Sequence, residues 1–226
     1  MNKLDTAQNN AVALRARLRQ VRKEIPEAQR ARGGLLMRGR LFTWLNVARE
    51  QASKRGTAMP TSVAAFWPLE YEPDLRPLLQ QWTQAGITVA LPAITHAESP
   101  LEFRSWNPGD ELHSGPFNVQ EPKADRPIIL PDVILVPTLG YTPQADRLGY
   151  GGGYYDRTLH ALRKAGHNPV AIGISWDEGL LDDDYTPAVH DERLDAILTP
   201  SQWVPEPPVL DAGAPNGSVL SSFIFR

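Results

Sequence analysis

Val133-Ile-Leu-Val-Pro-Thr-Leu-Gly-Tyr-Thr-Pro-Gln-Ala-Asp-Arg147-Leu-Gly149-Tyr150-Gly151-Gly152-Gly153-Tyr154-Tyr155-Asp156-Arg157 is the stretch on which the fold turns. Val133 to Val136 is a short unbroken apolar run, the pattern of a strand buried on both faces. It delivers the chain to a loop holding Gly149, Gly151, Gly152 and Gly153, and Tyr154 to Ala165 then reads as an amphipathic helix. A strand, a glycine loop and a helix start together form an anion site. Glycines let consecutive backbone N–H groups approach a phosphate with no Cβ in the way, and the helix start adds partial positive charge. Arg147 would offer a planar bidentate fork to the same phosphate. No Gly-Lys-Ser/Thr follows the glycines, so the string is not a P-loop. Tyr154 stands where the third glycine of a dinucleotide fingerprint would be. Two readings stay open on these residues alone: a phosphate loop, or a tight strand-to-helix connection.

Outward from that stretch, Ser62 to Phe66, Thr88 to Leu91, Val170 to Ile174 and Ala196 to Leu198 are further candidate buried strands. Asp74 to Ala85 reads as a helix with Leu75, Leu78, Leu79 and Trp82 on one face and Gly86 placed to end it. Leu101 to Trp106 reads as an added strand or hairpin arm. This alternation predicts an α/β fold, three-layer α/β/α and Rossmann-like, with a mostly parallel sheet that carries ligands at the carboxyl ends of its strands. Upstream, Leu14, Leu18, Val21 and Ile25 recur at helical spacing before Pro26, predicting a helix over Ala7 to Glu24. A second is expected over Leu35 to Arg49, because Gly33-Gly34 weaken the stretch before it. The expected organisation is one α/β domain over residues 1–203, with 1–55 a basic helical segment packed on it and 204–226 a Pro/Gly/Ser-rich extension.

The 226 residues carry 23 Lys+Arg, 26 Asp+Glu and no cysteine, which excludes a disulfide, a thiolate nucleophile and any Cys-based metal site. No apolar run approaches the roughly 20 residues that a membrane span needs. The opening is polar and shows no signal-peptide pattern, so a cytoplasmic location is expected. Charge is unevenly placed: residues 1–55 hold 13 Lys/Arg against 4 Asp/Glu, and residues 56–226 hold 10 against 22. A basic arm on an acidic body fits three roles: nucleic-acid binding, delivery of arginines to a phosphate on its own body, or a solvated helix face.

Asp156 stands at the expected helix start, and Asp191 follows His190 beyond the acidic run Asp182-Asp183-Asp184. Two carboxylates beside phosphate are what Mg²⁺ prefers, with water completing an octahedron; a capping acid and a surface pair are the alternative readings. His96, His113, His160 and His167 share no ligand spacing.

The string Arg147-Leu-Gly-Tyr-Gly-Gly-Gly-Tyr-Tyr-Asp-Arg157, behind a strand ending in Val-Pro, resembles the signature of the 5-formyltetrahydrofolate cyclo-ligase family, also called methenyltetrahydrofolate synthetases. Phe66-Trp67-Pro68 with Glu72, Leu101 to Trp106, Gly115-Pro116-Phe117-Asn118-Val119 to Glu121-Pro122, and His190-Asp191 with Leu194 to Thr199 extend it over about residues 60–200, together with Leu14-Arg15. The resemblance implies ATP- and Mg²⁺-dependent conversion of 5-formyltetrahydrofolate to 5,10-methenyltetrahydrofolate. It implies that Arg15 and Arg147, Leu148, Gly149, Tyr150, Gly151, Gly152, Gly153, Tyr154 and Tyr155 hold ATP. Trp67 and Glu72, with Tyr150 to Tyr154, would border the folate, and Asp156 and Asp191 would hold Mg²⁺. No covalent nucleophile is expected. The family usually has a lysine shortly before Leu-Arg of the first helix, where this chain has Asn9, Asn10 and Ala11. ATP and the folate are the expected partners of a monomer. A silent relative that only binds folate or nucleotide is a second hypothesis. A nucleic-acid module built on the basic arm is a third, ranked last because the arm has no readout motif.

Overall fold

Along Val133–Pro137 successive side chains go to opposite faces. Val133 and Leu135 join one core cluster, and Ile134 and Val136 join the other. A strand sharing its residues between two cores is the centre of a three-layer domain. The computed structural model describes residues 3–182 and 185–209; Asp183, Asp184 and residues 210–226 lie outside them, so part of the acidic run and most of the expected extension are not described. The chain runs α1 (Lys3–Glu24), α2 (Glu27–Arg55), β1 (Ser62–Ala64), α3 (Arg76–Gln84), β2 (Thr88–Ala93), β3 (Glu102–Trp106), β4 (Leu112–Ser114), β5 (Gln120–Pro122), β6 (Val133–Pro137), β7 (Gly140–Tyr141), β8 (Arg147–Leu148), α4 (Tyr154–Lys164), β9 (Val170–Ile174), β10 (Ala196–Leu198) and β11 (Trp203–Val204).

Seven strands form the main sheet in the order β11-β10-β9-β6-β1-β2-β3. The five inner strands are parallel, while β3 and β11 pair antiparallel at the edges. From α2 and α3, Met37, Leu41, Leu45, Leu78, Leu79 and Trp82 cover one face, and Leu159 of α4 packs on the other. The three-layer, mostly parallel α/β/α expectation holds. α1 takes a fourth position: Leu18 meets Leu139, Leu148 and Leu181, which seats the helix over the loops at the carboxyl ends of the strands.

The chain winds outward from β1 to β2 and in the other direction from β6 to β9 and β10, so the order reverses between β1 and β6. Open α/β sheets present a crevice at the carboxyl ends of the strands at such a point. The connections leaving β1 and β6 contain Trp67 and Glu72, and Arg147 to Asp156, respectively.

Helix α2 departs from the expected Leu35 to Arg49, beginning at Glu27 and running straight through Gly33-Gly34. A Cβ at Gly33 would lie 2.7 Å from the Trp176 ring and 3.0 Å from Pro200. Glycine is there for close approach of the helix to the sheet's loops, and that packing outweighs a helix propensity cost of about 1 kcal/mol. The strand β11 carries the sheet past residue 203, and Trp44 Nε1 donates to Pro208 O at 2.8 Å, so residues 203–208 lie along α2.

Gly33→Ala, favourable by helix propensity alone, is therefore expected to destabilise by about 1–3 kcal/mol through overpacking. Gly34→Ala, whose Cβ would meet first the tip of Arg38 at 3.3 Å, is expected to be neutral or stabilising. Urea unfolding of the two variants checks the contrast, and equal effects would contradict it.

Candidate active site

The hairpin β7–β8 pairs Gly140 with Leu148 and Tyr141 with Arg147, and it aims the chain out of the β6 connection into the glycine loop. Gly151 (φ 100°) and Gly153 (φ 65°) take left-handed conformations that side chains resist, and Gly153 is the residue before the first turn of α4. Three of the loop's carbonyls are tied back by cations. Arg15 Nε donates to Gly149 O at 2.9 Å, Arg19 Nη2 to Tyr150 O at 3.4 Å, and Arg157 Nη2 to Gly152 O at 2.6 Å. None of the N–H groups of residues 149–153 donates to another oxygen among the described residues. The loop thus has its N–H donors free and the carbonyls of residues 149, 150 and 152 engaged by arginines, beside a helix start whose first N–H groups are also without intrahelical partners.

Arg15, Arg19 and Arg22 stand at i, i+4 and i+7 on α1, hence on one face. Only Arg15 was expected at the site; the spacing of all three is the signal that the apolar stripe beside them obscured. Arg22 donates to Tyr150 Oη at 2.5 Å and to Thr138 O at 2.8 Å, and lies 3.8 Å from the Glu72 carboxylate. The Tyr150 hydroxyl donates to Glu72 Oε1, and Leu69 N–H donates to Oε2 at 2.8 Å. This buried cluster bridges the sheet's switch point. Burial pushes the Glu72 carboxyl above the usual carboxylate range despite Tyr150, Leu69 and Arg22. Burial beside Glu72 also raises the Tyr150 phenol far above 10.

Arg147 is buried and pairs with Asp156, Nη2 to Oδ1 at 2.8 Å, and Gly149 leaves room for its guanidinium. Asp156 Oδ1 also accepts the Glu192 N–H at 3.1 Å. The expected phosphate fork and the expected metal ligand are thus joined to each other, and Arg147 Nε is buried with no partner among the described residues. Asp191 lies next to Glu192 and accepts the Ala188 N–H on Oδ2 at 2.8 Å, so the structure brings its segment to Asp156.

Two expected ATP contacts face inward. The Leu148 side chain lies in the cluster under α1, and its carbonyl accepts Leu139 N–H at 3.0 Å. Tyr155 packs against the core on the α4 face, and burial raises its phenol above 10. Tyr154 meets Arg157 at 4.9 Å on its ring and the edge of Phe117 at 6.2 Å. Phe117 is 70% exposed and was not singled out as a site residue. Trp67, on the same connection as Glu72, packs edge-on against Trp106 at 5.8 Å with Arg76 over its ring.

An α/β domain with free loop amides at the sheet's switch point, an arginine face above them and carboxylates beside them is, as a class, an anion-binding enzyme scaffold. The chain belongs to the 5-formyltetrahydrofolate cyclo-ligase family, ligases of folate metabolism, whose model matches residues 7–200. The 5-formyltetrahydrofolate cyclo-ligase of Mycolicibacterium smegmatis is 32% identical over 203 residues, covering 84% of this chain and 94% of that protein. That of Escherichia coli is 34% identical over 150 residues, 64% of this chain and 80% of that protein. The solved structure of Aquifex aeolicus 5,10-methenyltetrahydrofolate synthetase superposes with a TM-score of 0.67 at 21% identity, over 92% of this chain and 96% of that one, which shows a common fold. Among the described residues no helix is long and apolar enough to cross a membrane.

A carboxyl whose native value is raised contributes stability below its ordinary value and loses that contribution as pH climbs through the native one. Wild-type stability in urea is therefore expected to fall relative to Glu72→Gln as pH rises above 4.5, Glu72's ordinary value. The gap stops widening once the buried group has ionised. Parallel pH curves would show that ionising Glu72 carries no penalty.

Proposed function

We propose that this chain converts 5-formyltetrahydrofolate to 5,10-methenyltetrahydrofolate, consuming ATP and releasing ADP and phosphate, as a monomer in the cytoplasm. The observation that supports this most is the run of uncommitted amides at residues 149–153, three of whose carbonyls, those of Gly149, Tyr150 and Gly152, are held by Arg15, Arg19 and Arg157. Such a loop suits the terminal phosphates of a nucleotide.

The chemistry asks for alignment rather than a nucleophile. A formyl oxygen on nitrogen leaves poorly. Transfer of the terminal phosphoryl group to that oxygen forms an O–P bond and breaks the bond to ADP. The neighbouring folate nitrogen then attacks the formyl carbon, losing its proton to solvent, and phosphate departs with the oxygen. The enzyme's share is to place the two substrates and neutralise the phosphoryl charge. In this reading the loop amides and Arg15 hold the phosphates, with the unpartnered Nε of Arg147 as a further donor. Trp67, Glu72 and Tyr154 border the folate, where aromatic faces stack on a ring system and a carboxylate accepts from ring N–H groups.

The residues fit a Mg²⁺ ion that arrives with the nucleotide. Among the described residues no three His, Asp or Glu side chains gather closely enough to cage an ion. Asp156 and Asp191 would supply two ligands and leave the rest of the octahedron to phosphate oxygens and water. Both protein contacts of Asp156 fall on Oδ1. Bound there, the ion would draw charge from the transferring phosphoryl group. The basic arm favours this reading over nucleic-acid binding, since its α1 arginines are engaged with the chain's own loops.

The test is turnover of 5-formyltetrahydrofolate, followed by the near-ultraviolet absorbance of the methenyl product, with ATP and Mg²⁺ together and with each omitted. Product is expected only when both are present. Asp156→Asn is expected to lower kcat by about a hundredfold or more, the scale of losing one preorganised electrostatic contact. Product without ATP, or ligand-induced stabilisation with no turnover, would overturn the proposal.

A further inference from the structure

We infer that Glu192 is a positioning residue for Asp156 and Asp191, clamped by His160 and Arg163 of α4. The inference rests on the reading of that pair as the Mg²⁺ ligands.

Asp156, His160 and Arg163 stand at i, i+4 and i+7, so they share one face of α4. All three meet the same residue. Asp156 Oδ1 accepts the Glu192 N–H at 3.1 Å, His160 Nδ1 lies 3.1 Å from Glu192 Oε1, and Arg163 Nη1 pairs with Glu192 Oε2. A second Arg163 donor, Nη2, reaches the Arg193 carbonyl at 3.0 Å. The amide touching Asp156 and the carboxylate gripped by the helix therefore belong to one residue, the neighbour of Asp191.

The arrangement solves two problems. Asp156 rides on α4 while Asp191 rides on a separate turn, Ala188–Asp191, closed by its own hydrogen bonds. A pair on two segments holds one ion well only if their separation is fixed, and Glu192 fixes it through main chain and side chain together. A third carboxylate so close would also repel nucleotide phosphates or compete for the ion. Arg163 neutralises it in a partly shielded pair, each side chain 21% exposed, and Glu192 joins no three-member metal-holding group among the described residues.

The test compares wild type, Arg163→Ala, Arg163→Lys and Glu192→Gln. Mn²⁺ binding to the ATP-saturated protein is read by electron paramagnetic resonance of the free ion, and the Mg²⁺ dependence of turnover is read in parallel. Arg163→Ala and Glu192→Gln are expected to raise the Mn²⁺ Kd and the half-saturating Mg²⁺ by about tenfold, the usual effect of removing a support behind a metal ligand. Turnover at saturating Mg²⁺ and the KM for the folate are expected to move by no more than about twofold, and Arg163→Lys to restore most of the metal affinity. Unchanged Mn²⁺ affinity in both variants overturns the inference, as does a loss in which kcat, folate KM and metal dependence all worsen together. A wild-type protein that binds no Mn²⁺ beside ATP removes the reading underneath it instead.

Discussion

The fold's chemistry depends on how the peptide units of the glycine loop are divided between partners. Each unit carries one acceptor and one donor, and a loop with both uncommitted has no preferred sign toward a ligand. Here cations occupy three of the five carbonyls. Arg15 and Arg19 reach down from α1, and Arg157 reaches back from the first turn of α4. What remains is a row of N–H groups beside positive charge and a helix start, all of the sign that attracts phosphate. The helix supplying the arginines needs its own anchor. Leu18, on another face of α1, packs with Leu139, Leu148 and Leu181, so the inward Leu148 side chain is part of what seats the arginines above the loop.

A second consequence of seating α1 there is that Arg22 enters the crevice between β1 and β6. A carboxylate as buried as Glu72 would be costly alone, and a single partner rarely repays the desolvation of both charges. Tyr150 and the Leu69 amide fill the remaining hydrogen-bond positions, yet burial still dominates and raises the carboxyl. Retaining an acid where the surroundings oppose its charge is a pattern concentrated at functional sites. It also joins the two halves of the sheet, since Glu72 follows β1 and Tyr150 follows β6.

Much of this fold is legible in the sequence. The run Val133 to Val136, the glycines and the amphipathic Tyr154 to Ala165 located a strand, the loop after it and its helix, because burial on two faces and backbone freedom leave local marks in sequence. What was not legible depends on partners distant in the chain. Gly33-Gly34 argued against a helix by propensity, and only Trp176 and Pro200 explain why glycine is tolerated inside one. Arg147 and Asp156, nine positions apart, carry no local mark of being partners, and the structure pairs them. Tyr154 and Tyr155 both pack against the core on the α4 face, yet only Tyr154 also meets Phe117 and Arg157, a difference set by helical geometry that adjacent tyrosines do not announce. The i, i+4, i+7 arginines of α1 were present in the sequence throughout, with nothing local to separate them from a solvated face.

The uneven charge of the chain follows from the same acceptor chemistry. Beyond α1, Arg38 donates to Asp74 O at 2.7 Å, Arg49 to Pro60 O at 3.0 Å, and Arg40 to the carbonyls of Pro200 and Ser201. These three arginines end on main-chain oxygens of the body, whereas Arg17 with Asp182 and Arg22 with Glu72 pair with its carboxylates. A guanidinium bonded to a carbonyl is positioned by direction and depends less on ionic strength than a surface ion pair does. The basic segment therefore acts as a set of directional fasteners, and part of the positive charge they carry accumulates over the loop whose amides are free. Docking α1 also sets Arg15 and Arg19 over the glycine loop, so in the proposed reading whatever loosens α1 from the body also removes the charge that would draw a polyphosphate to that loop.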